Sequence, residues 1–278
     1  MYSFELQKYT GAGNDFLIIN NLENFIHNFE NITKEFISLN GNSGFDGVIF
    51  VELSDIADFK MNYYNKDGTG NALCGNGLRA TIKYLLDNKL SSESLINLEA
   101  VNKIYQCKVL EDGTISVSFP KPAKVKLKFK LKVHFAEWWQ LLTVSYFDVG
   151  SPHIVVFIDD IENPRLKHIE EVDIIEWGRN IRMHKDLMPE GANVNFIEIV
   201  NPSIGELKIR SYERGVEGET LACGTGALSA AIAANVLKNV LKPVRLLTKS
   251  GEKLIVNFEL SDNSIKGLSL TGSAKRIL

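Results

Sequence analysis

Two glycine-dense segments, each built around one cysteine, constrain this chain more than any other feature. The first runs Gly68-Thr69-Gly70-Asn71-Ala72-Leu73-Cys74-Gly75-Asn76-Gly77, and the second Gly215-Val216-Glu217-Gly218-Glu219-Thr220-Leu221-Ala222-Cys223-Gly224-Thr225-Gly226. Together they hold eight of the 21 glycines, where even spacing would place about two. The two cysteines lie 149 residues apart, and three further matches keep nearly that offset. Phe59-Lys60-Met61-Asn62-Tyr63-Tyr64 matches Leu207-Lys208-Ile209-Arg210-Ser211-Tyr212, Gly47-Val48-Ile49-Phe50-Val51-Glu52 faces Asn193-Val194-Asn195-Phe196-Ile197-Glu198, and Asp112-Gly113-Thr114-Ile115 faces Asp262-Asn263-Ser264-Ile265. Four matches in one order argue for an internal duplication.

Both glycine segments run into helical patterns. Leu78, Ile82, Leu85 and Leu86 recur at the spacing of an amphipathic helix that ends near Asn88. Ala227-Leu228-Ser229-Ala230-Ala231-Ile232-Ala233-Ala234 is small and apolar on every side, which predicts a buried helix with other elements wrapped around it. The rest of each half reads as short strands and turns. The fold expected is α+β: two homologous halves, each a mixed or antiparallel sheet curled into a barrel-like roll around a central helix. The halves are placed at 1–119 plus a returning tail 267–278, and at 120–266. At the start of the second half, Lys124 to Phe135 alternates strictly, with five lysines expected on one face. It is read as a strand whose charge discourages edge pairing rather than as a docking stripe.

At 278 residues, with 45% hydrophobic and 23% charged side chains, the chain has the composition of a globular protein. A net charge of -3 gives no reason to expect nucleic acid as a partner. Three cysteines argue against a disulfide scaffold and for a reducing compartment. Met1 to Thr10 has no signal-like apolar run. Ala227 to Leu237, the most apolar stretch, falls well short of the roughly 20 residues that span a bilayer. A cytoplasmic protein with no membrane partner is expected.

A cysteine that opens a helix sits among N–H groups that lack intrahelical partners, at the positive end of the helix dipole. Both effects favour thiolate over thiol. Beside glycines, the same N–H groups can also hold a carboxylate. If the halves pair about a pseudo-twofold axis, the two helix starts converge on one cleft with a sulfur on each side of a bound substrate. One thiolate could then remove a proton from carbon while the opposite thiol returns one, which is inversion without a cofactor. Contact with one carbon would set the sulfurs roughly 6 to 7 Å apart. Neither segment carries a second cysteine or a histidine at zinc-ligand spacing, nor the ending of a phosphate-binding loop, so no metal or nucleotide is expected. A free cysteine is most often a small buried hydrophobe, and Cys107, within a strand pattern, is read that way.

These segments resemble the diaminopimelate epimerase family. The resemblance is carried by Thr10-Gly11-Ala12-Gly13-Asn14-Asp15-Phe16, by Tyr64-Asn65-Lys66-Asp67-Gly68 leading to Cys74-Gly75-Asn76-Gly77-Leu78-Arg79, by Gly150-Ser151-Pro152-His153, by Asn193-Val194-Asn195-Phe196, and by Tyr212-Glu213-Arg214-Gly215 leading to the second cysteine segment. It implies a cofactor-independent isomerase that interconverts L,L- and meso-diaminopimelate, a small-molecule substrate on the route to lysine and peptidoglycan precursors. It further implies a homodimer and an active site in the cleft between the halves. Cys74 and Cys223 would be the catalytic acid/bases, with Gly75, Asn76, Gly224 and Thr225 holding the reacting carboxylate. Asn14, Asn65, Asn193, Glu213 and Arg214 match substrate-binding positions, and His153 and Glu213 match positions that tune the thiols. A charged imidazole near a thiol would lower its pKa, and a carboxylate would raise it.

The sequence departs from the family pattern at Ser151, where many members have asparagine, and at Gly47, where some have glutamine. It also carries an extra residue through Val216-Glu217-Gly218. Two other readings stand beside this one: a proline racemase-like isomerase of the same fold, and a non-catalytic amino-acid-binding or thiol redox protein.

Overall fold

The computed structural model describes residues 6–39, 44–70, 73–261 and 264–277. Asn71 and Ala72 of the first glycine segment, Asp262 and Asn263 of the last repeat match, and the extreme ends of the expected first half lie outside them. The protein is mixed α+β and dominated by sheet. It divides into two compact units, Met1–Ser118 with Thr271–Leu278, and Phe119–Leu270.

The first unit runs β1 (Leu6–Gly11), β2 (Asn14–Asn20), α1 (Phe29–Leu39), β3 (Gly47–Glu52), β4 (Phe59–Asn65), α2 (Gly75–Asp87), β5 (Leu95–Ala100), β6 (Lys103–Val109) and β7 (Ile115–Ser118). Pairing is antiparallel for β1–β2, β3–β4, β5–β6 and β6–β7, and parallel for β2–β3 and β4–β5. The last strand of the chain, β17 (Lys275–Ile277), returns to pair antiparallel with β1, Lys8 opposite Ile277. Helix α2 touches β17, β1 to β4, β6 and β7, so the sheet curls around it. Helix α1 packs on β3 and β4 from the other side, in a cluster with Leu17, Ile19, Val48 and Phe50. Strands β2 and β3 are therefore covered on both faces, which is why Phe16 to Ile19 and Val48 to Val51 are unbroken apolar runs rather than alternating ones.

The second unit holds β8 (Lys124–His134), β9 (Trp139–Asp148), β10 (Pro152–Phe157), α3 (Ile174–Arg182), β11 (Asn193–Asn201), β12 (Glu206–Glu213), β13 (Gly218–Thr220), α4 (Gly224–Lys238), β14 (Val244–Leu247), β15 (Lys253–Ser261) and β16 (Ser264–Gly272). The order β8-β9-β10-β11-β12-β14-β15 repeats the pairing senses of β17-β1-β2-β3-β4-β5-β6 one for one. Helix α4 takes the place of α2, against β9 to β12, β14 and β15, and α3 packs on β11 and β12 as α1 does on β3 and β4.

The central helices differ in how they are covered. Gly224 to Ala234 of α4 are all buried, and its alanines let the surrounding strands approach closely. In α2, Leu78, Ile82 and Leu85 point inward as their spacing predicts, but Gly75 to Ile82 are buried all round. Its polar side begins only at the Lys83–Asp87 ion pair, 2.7 Å.

One expectation fails in β8. Its pairing with β9 jumps from Lys126 opposite Tyr146 to Phe129 opposite Val144, with Lys128 at φ 48°. This extra residue is a β-bulge, and it reverses which face the later side chains occupy. Lys124 and Lys126 lie on the face of Tyr146, whereas Lys130 and Lys132 lie on that of Thr143 and Leu141. The lysines do not form one stripe. Three of them cover aromatic rings instead, Lys124 over Tyr146 at 5.7 Å, Lys126 over Phe129 at 4.4 Å and Lys132 over Trp139 at 4.1 Å. Among the described residues no helix is long and apolar enough to cross a membrane.

Candidate active site

Each central helix is capped by a cysteine. Cys74 (φ -118°, ψ 102°) and Cys223 (φ -117°, ψ 109°) take the same extended conformation at the N-cap. Each sulfur accepts the N–H of the second glycine beyond it, from Gly77 at 3.3 Å and from Gly226 at 3.4 Å. A cap of this kind satisfies one orphan donor of the first turn, and two further first-turn N–H groups precede it. Those belong to Gly75 and Asn76 in the first unit and to Gly224 and Thr225 in the second.

In the first unit, Asn14 opens β2 and reaches the helix start, where its Oδ1 accepts from Asn76 Nδ2 at 2.5 Å. Arg79, one turn into α2 and wholly buried, fixes the other end of that amide by donating to Asn76 Oδ1 at 2.6 Å. Asp46 accepts the backbone N–H of Asp15 at 2.8 Å. Burial raises the Asp46 carboxyl above its usual range, although hydrogen bonds from Asn14 and Asp15 oppose the shift. Asn65 ends β4 and works within its own turn: its amide donates to Thr69 Oγ1 and accepts from Tyr63, both at 2.9 Å. Gly47 pairs with Asn65 across β3 and β4, and a Cβ there would lie 2.1 Å from the Tyr64 carbonyl oxygen. Local packing therefore leaves no room for a side chain at this position.

In the second unit, parallel pairing sets His153 beside Asn193 at the starts of β10 and β11. Glu213 ends β12 and accepts from Thr220 Oγ1 at 2.5 Å. Asn193 Oδ1 accepts the backbone N–H of Arg214 at 2.8 Å, while the exposed Arg214 guanidinium donates to the Glu190 carbonyl at 3.3 Å. His153 Nε2 lies 2.9 Å from both Ser151 Oγ and Thr225 Oγ1, and Thr225 Oγ1 lies 3.7 Å from the Cys223 sulfur.

The surroundings of Cys223 favour the thiol. Burial pushes its pKa well above the usual value and the Glu213 carboxylate pushes further, against the Gly226 N–H and the Thr225 hydroxyl. The histidine does not counter this as an imidazolium would. Complete burial, aided by the Arg214 charge, lowers His153 to about 3, so it is neutral at ordinary pH and reaches Cys223 only through Thr225. Cys107 sits inside the first unit, pushed up to about 12 by burial, and its Sγ donates to the Tyr105 carbonyl at 3.6 Å.

Side chains to which the sequence assigned no role also belong here. Asn195 and Ser211 stand behind His153, and Arg79 and Asp46 behind Asn14 and Asn76. Asn195 had a usable cue, since it interrupts an apolar strand on the same face as Asn193. The described residues hold one other grouping of potential metal ligands, His168, Glu170 and Glu198, away from either cysteine in sequence. Lys208 is ion-paired with both of its glutamates.

Repeated units with a helix at the centre of each are found in solved structures of low sequence identity. A Bacillus anthracis phenazine biosynthesis protein of the PhzF family matches with a TM-score of 0.72 over 100% of this chain and 98% of its own, at 16% identity. A hydroxyproline epimerase from Agrobacterium vitis matches with 0.68 over 99% and 91%, at 14% identity. The chain thus has the fold shared by PhzF-type proteins and proline-type epimerases. Sequence narrows this further: the family model described as diaminopimelate epimerase matches residues 6–125 and 145–277. The diaminopimelate epimerase of Aquifex aeolicus is 33% identical over 98% of this chain and 95% of its own length, and that of Chlorobaculum tepidum 34% over 96% and 97%. The chain belongs to the diaminopimelate epimerase family.

Proposed function

We propose that this protein interconverts L,L- and meso-diaminopimelate, with Cys74 and Cys223 as the two acid/base groups and no cofactor. The observation that carries this reading is the duplicated cap: a cysteine sulfur at the N-cap of both central helices, in the same extended conformation and accepting the same first-turn N–H.

The reaction needs a thiolate that takes the α-proton on one face of the carbon and a thiol that delivers a proton on the other. Cys223, kept as the thiol by burial and by Glu213, is the acid in the direction that begins with Cys74 as base. After one turnover the two have exchanged roles, and the reverse reaction starts from that state. The carbanion is the costly species. Backbone N–H groups of Gly75, Asn76, Gly224 and Thr225 suit its carboxylate, and donors fixed in advance stabilise charge as it develops. Arg214 is the cation for the distal carboxylate, and the amides of Asn14, Asn65 and Asn193 select the distal ammonium centre. The same reading takes the working form as a cytoplasmic homodimer.

Deuterium exchange tests it. In deuterated water the protein is expected to label the α-carbon of L,L-diaminopimelate with inversion, and Cys74→Ala and Cys223→Ala are each expected to abolish epimerisation while leaving the fold largely intact. Labelling of L-proline alone would point to the racemase reading. Activity surviving both substitutions would point to a binding or redox protein.

A further inference from the structure

Behind the helix that Cys223 caps, the sheet is polar where the matching sheet of the first unit is apolar. Register allows the comparison residue by residue. His153 pairs with Asn193 as Phe16 pairs with Gly47, and Asn195 pairs with Ser211 as Ile49 pairs with Tyr63. Phe16, Ile49 and Tyr63 in one unit thus become His153, Asn195 and Ser211 in the other, and all three are buried. Asn195 and Ile49 also meet the same point of their helices. A Cβ on Gly226 would lie 2.2 Å from Asn195 Oδ1, and one on Gly77 would lie 3.3 Å from Ile49 Cδ1. Burying polar side chains where the duplicate uses mainly hydrocarbon, Tyr63 bringing the one hydroxyl, costs stability unless every group is satisfied, and here the satisfaction has a direction.

The amide of Asn195 can be oriented in only one way. One end lies 3.1 Å from the Ile154 carbonyl oxygen, which only accepts, so that end is the NH2 group. The other end accepts from Ser211 Oγ at 2.9 Å. The same NH2 faces His153 Nδ1 at 3.1 Å, which must then accept and carry no proton. The ring proton is on Nε2, aimed at Thr225 Oγ1 and Ser151 Oγ at 2.9 Å each. The opposite tautomer would set an N–H against the Asn195 N–H, and its bare Nε2 would draw the hydroxyl proton of Ser151 or Thr225, at 2.9 Å each, besides facing Asn193 Nδ2 at 3.5 Å.

We propose that Asn195 is a positioning residue that holds His153 as the neutral Nε2–H tautomer, and so leaves the Thr225 hydroxyl its own proton to give to the Cys223 sulfur. Thr225 accepts from the ring, and its hydroxyl proton is left for Sγ, 3.7 Å away, once the Ser151 hydroxyl, 3.3 Å away, donates to Thr225 rather than accepting from it. When Cys223 gives its proton to carbon, that hydroxyl and the Gly226 N–H meet the thiolate left behind. The titratable and charged groups around this chain are Glu213 at the end of β12, which opposes the thiolate, and Arg214 next to it, whose charge adds to burial in keeping His153 uncharged. From α4 come only Thr225 and Ser229, and the latter is bonded to the Thr225 carbonyl. One cysteine of the duplicated pair is thereby given a tuned hydroxyl donor that its counterpart's apolar backing does not supply.

The inference rests on the reading of Cys223 as an acid/base, but it is tested in resting protein without substrate. Histidine-15N spectra of the whole chain, assigned by His153→Gln, are expected to show His153 as Nε2–H from pH 6 to 8. An Nδ1–H or a charged ring would overturn the proposal. Asn195→Leu and the milder Ser211→Ala are expected to mix the tautomers. In a Cys74→Ala, Cys107→Ala background, both are also expected to raise the pH midpoint for alkylation of Cys223 by about one unit, so that alkylation at neutral pH slows roughly tenfold, as for one lost hydrogen bond to a charged sulfur. An unchanged midpoint in folded variants whose tautomer has shifted would also overturn it. A protein that passes these tests yet labels no diaminopimelate would refute the proposed substrate and leave the tuning of Cys223 in place.

Discussion

The Arg79 guanidinium is wholly buried and donates to Asn76 Oδ1 at 2.6 Å from within the same helix, with further bonds to the carbonyls of Gly75 at 3.3 Å and Ser273 at 3.5 Å. A fixed positive charge thus stands one turn inside the helix that Cys74 caps, and it decides which end of the Asn76 amide faces Asn14. Arg79→Met keeps most of the volume but leaves those acceptors without this donor, at about 1 to 3 kcal/mol for each one left unsatisfied. Urea unfolding is expected to show a loss of about 3 kcal/mol, with Cys74 less readily alkylated. Equal stability would mean that the buried charge is not needed to satisfy these groups.

His153 predicts an acid-sensitive fold. Its pKa is about 3 in the folded chain against 6.5 unfolded, because burial disfavours the charged ring. Between those values the unfolded chain binds the extra proton, so the contribution of neutral His153 is complete above pH 6.5 and is lost as the pH falls toward 3. One unit of pKa is about 1.4 kcal/mol. From pH 6.5 to 4.5 the wild type should lose about 2 kcal/mol more than His153→Gln, which carries no titrating ring. Parallel losses in the two proteins would show that the ring is not held neutral.

Glu213 is expected to act on Cys223 through charge. Burial is the larger cause of the raised thiol pKa and the carboxylate is the next. Glu213→Gln removes only the second. The alkylation profile of Cys223 should therefore move to lower pH, with faster reaction near neutrality, while the thiol stays above the range of an exposed cysteine. Movement to higher pH would contradict the assigned sign.

These groups differ in how far the sequence announced them. The two caps were legible because glycine density and the apolar spacing after each cysteine are local signals, and the small-residue run Ala227 to Ala234 declared its own burial. The bulge at Lys128 was not, since no local rule requires a lysine to take a positive φ in an alternating run; pairing with β9 imposes it. The neutral state of His153 was also hidden. It depends on complete burial and on Asn195 and Arg214, 42 and 61 residues further along the chain. Gly47 stands in the sequence only as a departure from the family pattern, and the strand register is what sets it against the Tyr64 carbonyl.

Cys107 should behave as packing. It is fully buried and pushed up to about 12 by that burial, despite the Arg79 charge. In native protein, iodoacetamide is expected to spare it, and denaturant should make it reactive. Cys107→Ala should cost about 1 kcal/mol, the scale of a small cavity, and leave epimerisation unchanged. Alkylation of native Cys107 at the rate of the other two would place it in an open site.

A glutamine at Gly47, the side chain that the family resemblance suggests at this position, should harm this chain rather than improve substrate binding. Any Cβ there would lie 2.1 Å from the Tyr64 carbonyl oxygen and 2.7 Å from the Tyr63 ring. The obstacle is space rather than conformation, since Gly47 is not among the positive-φ glycines. Moving the Tyr64 carbonyl strains the β3–β4 ladder at Gly47–Asn65 and Val48–Tyr64, and moving the ring disturbs the Tyr63 hydroxyl, which donates to Asn65 Oδ1 and to the Asp46 carbonyl. Gly47→Ala already carries the clash, so both it and Gly47→Gln should lose roughly 1 to 3 kcal/mol by urea unfolding, the range for overpacking. If Gly47→Gln kept its stability and bound diaminopimelate more tightly, the strands would have yielded to the side chain, and space would not be what keeps glycine at this position.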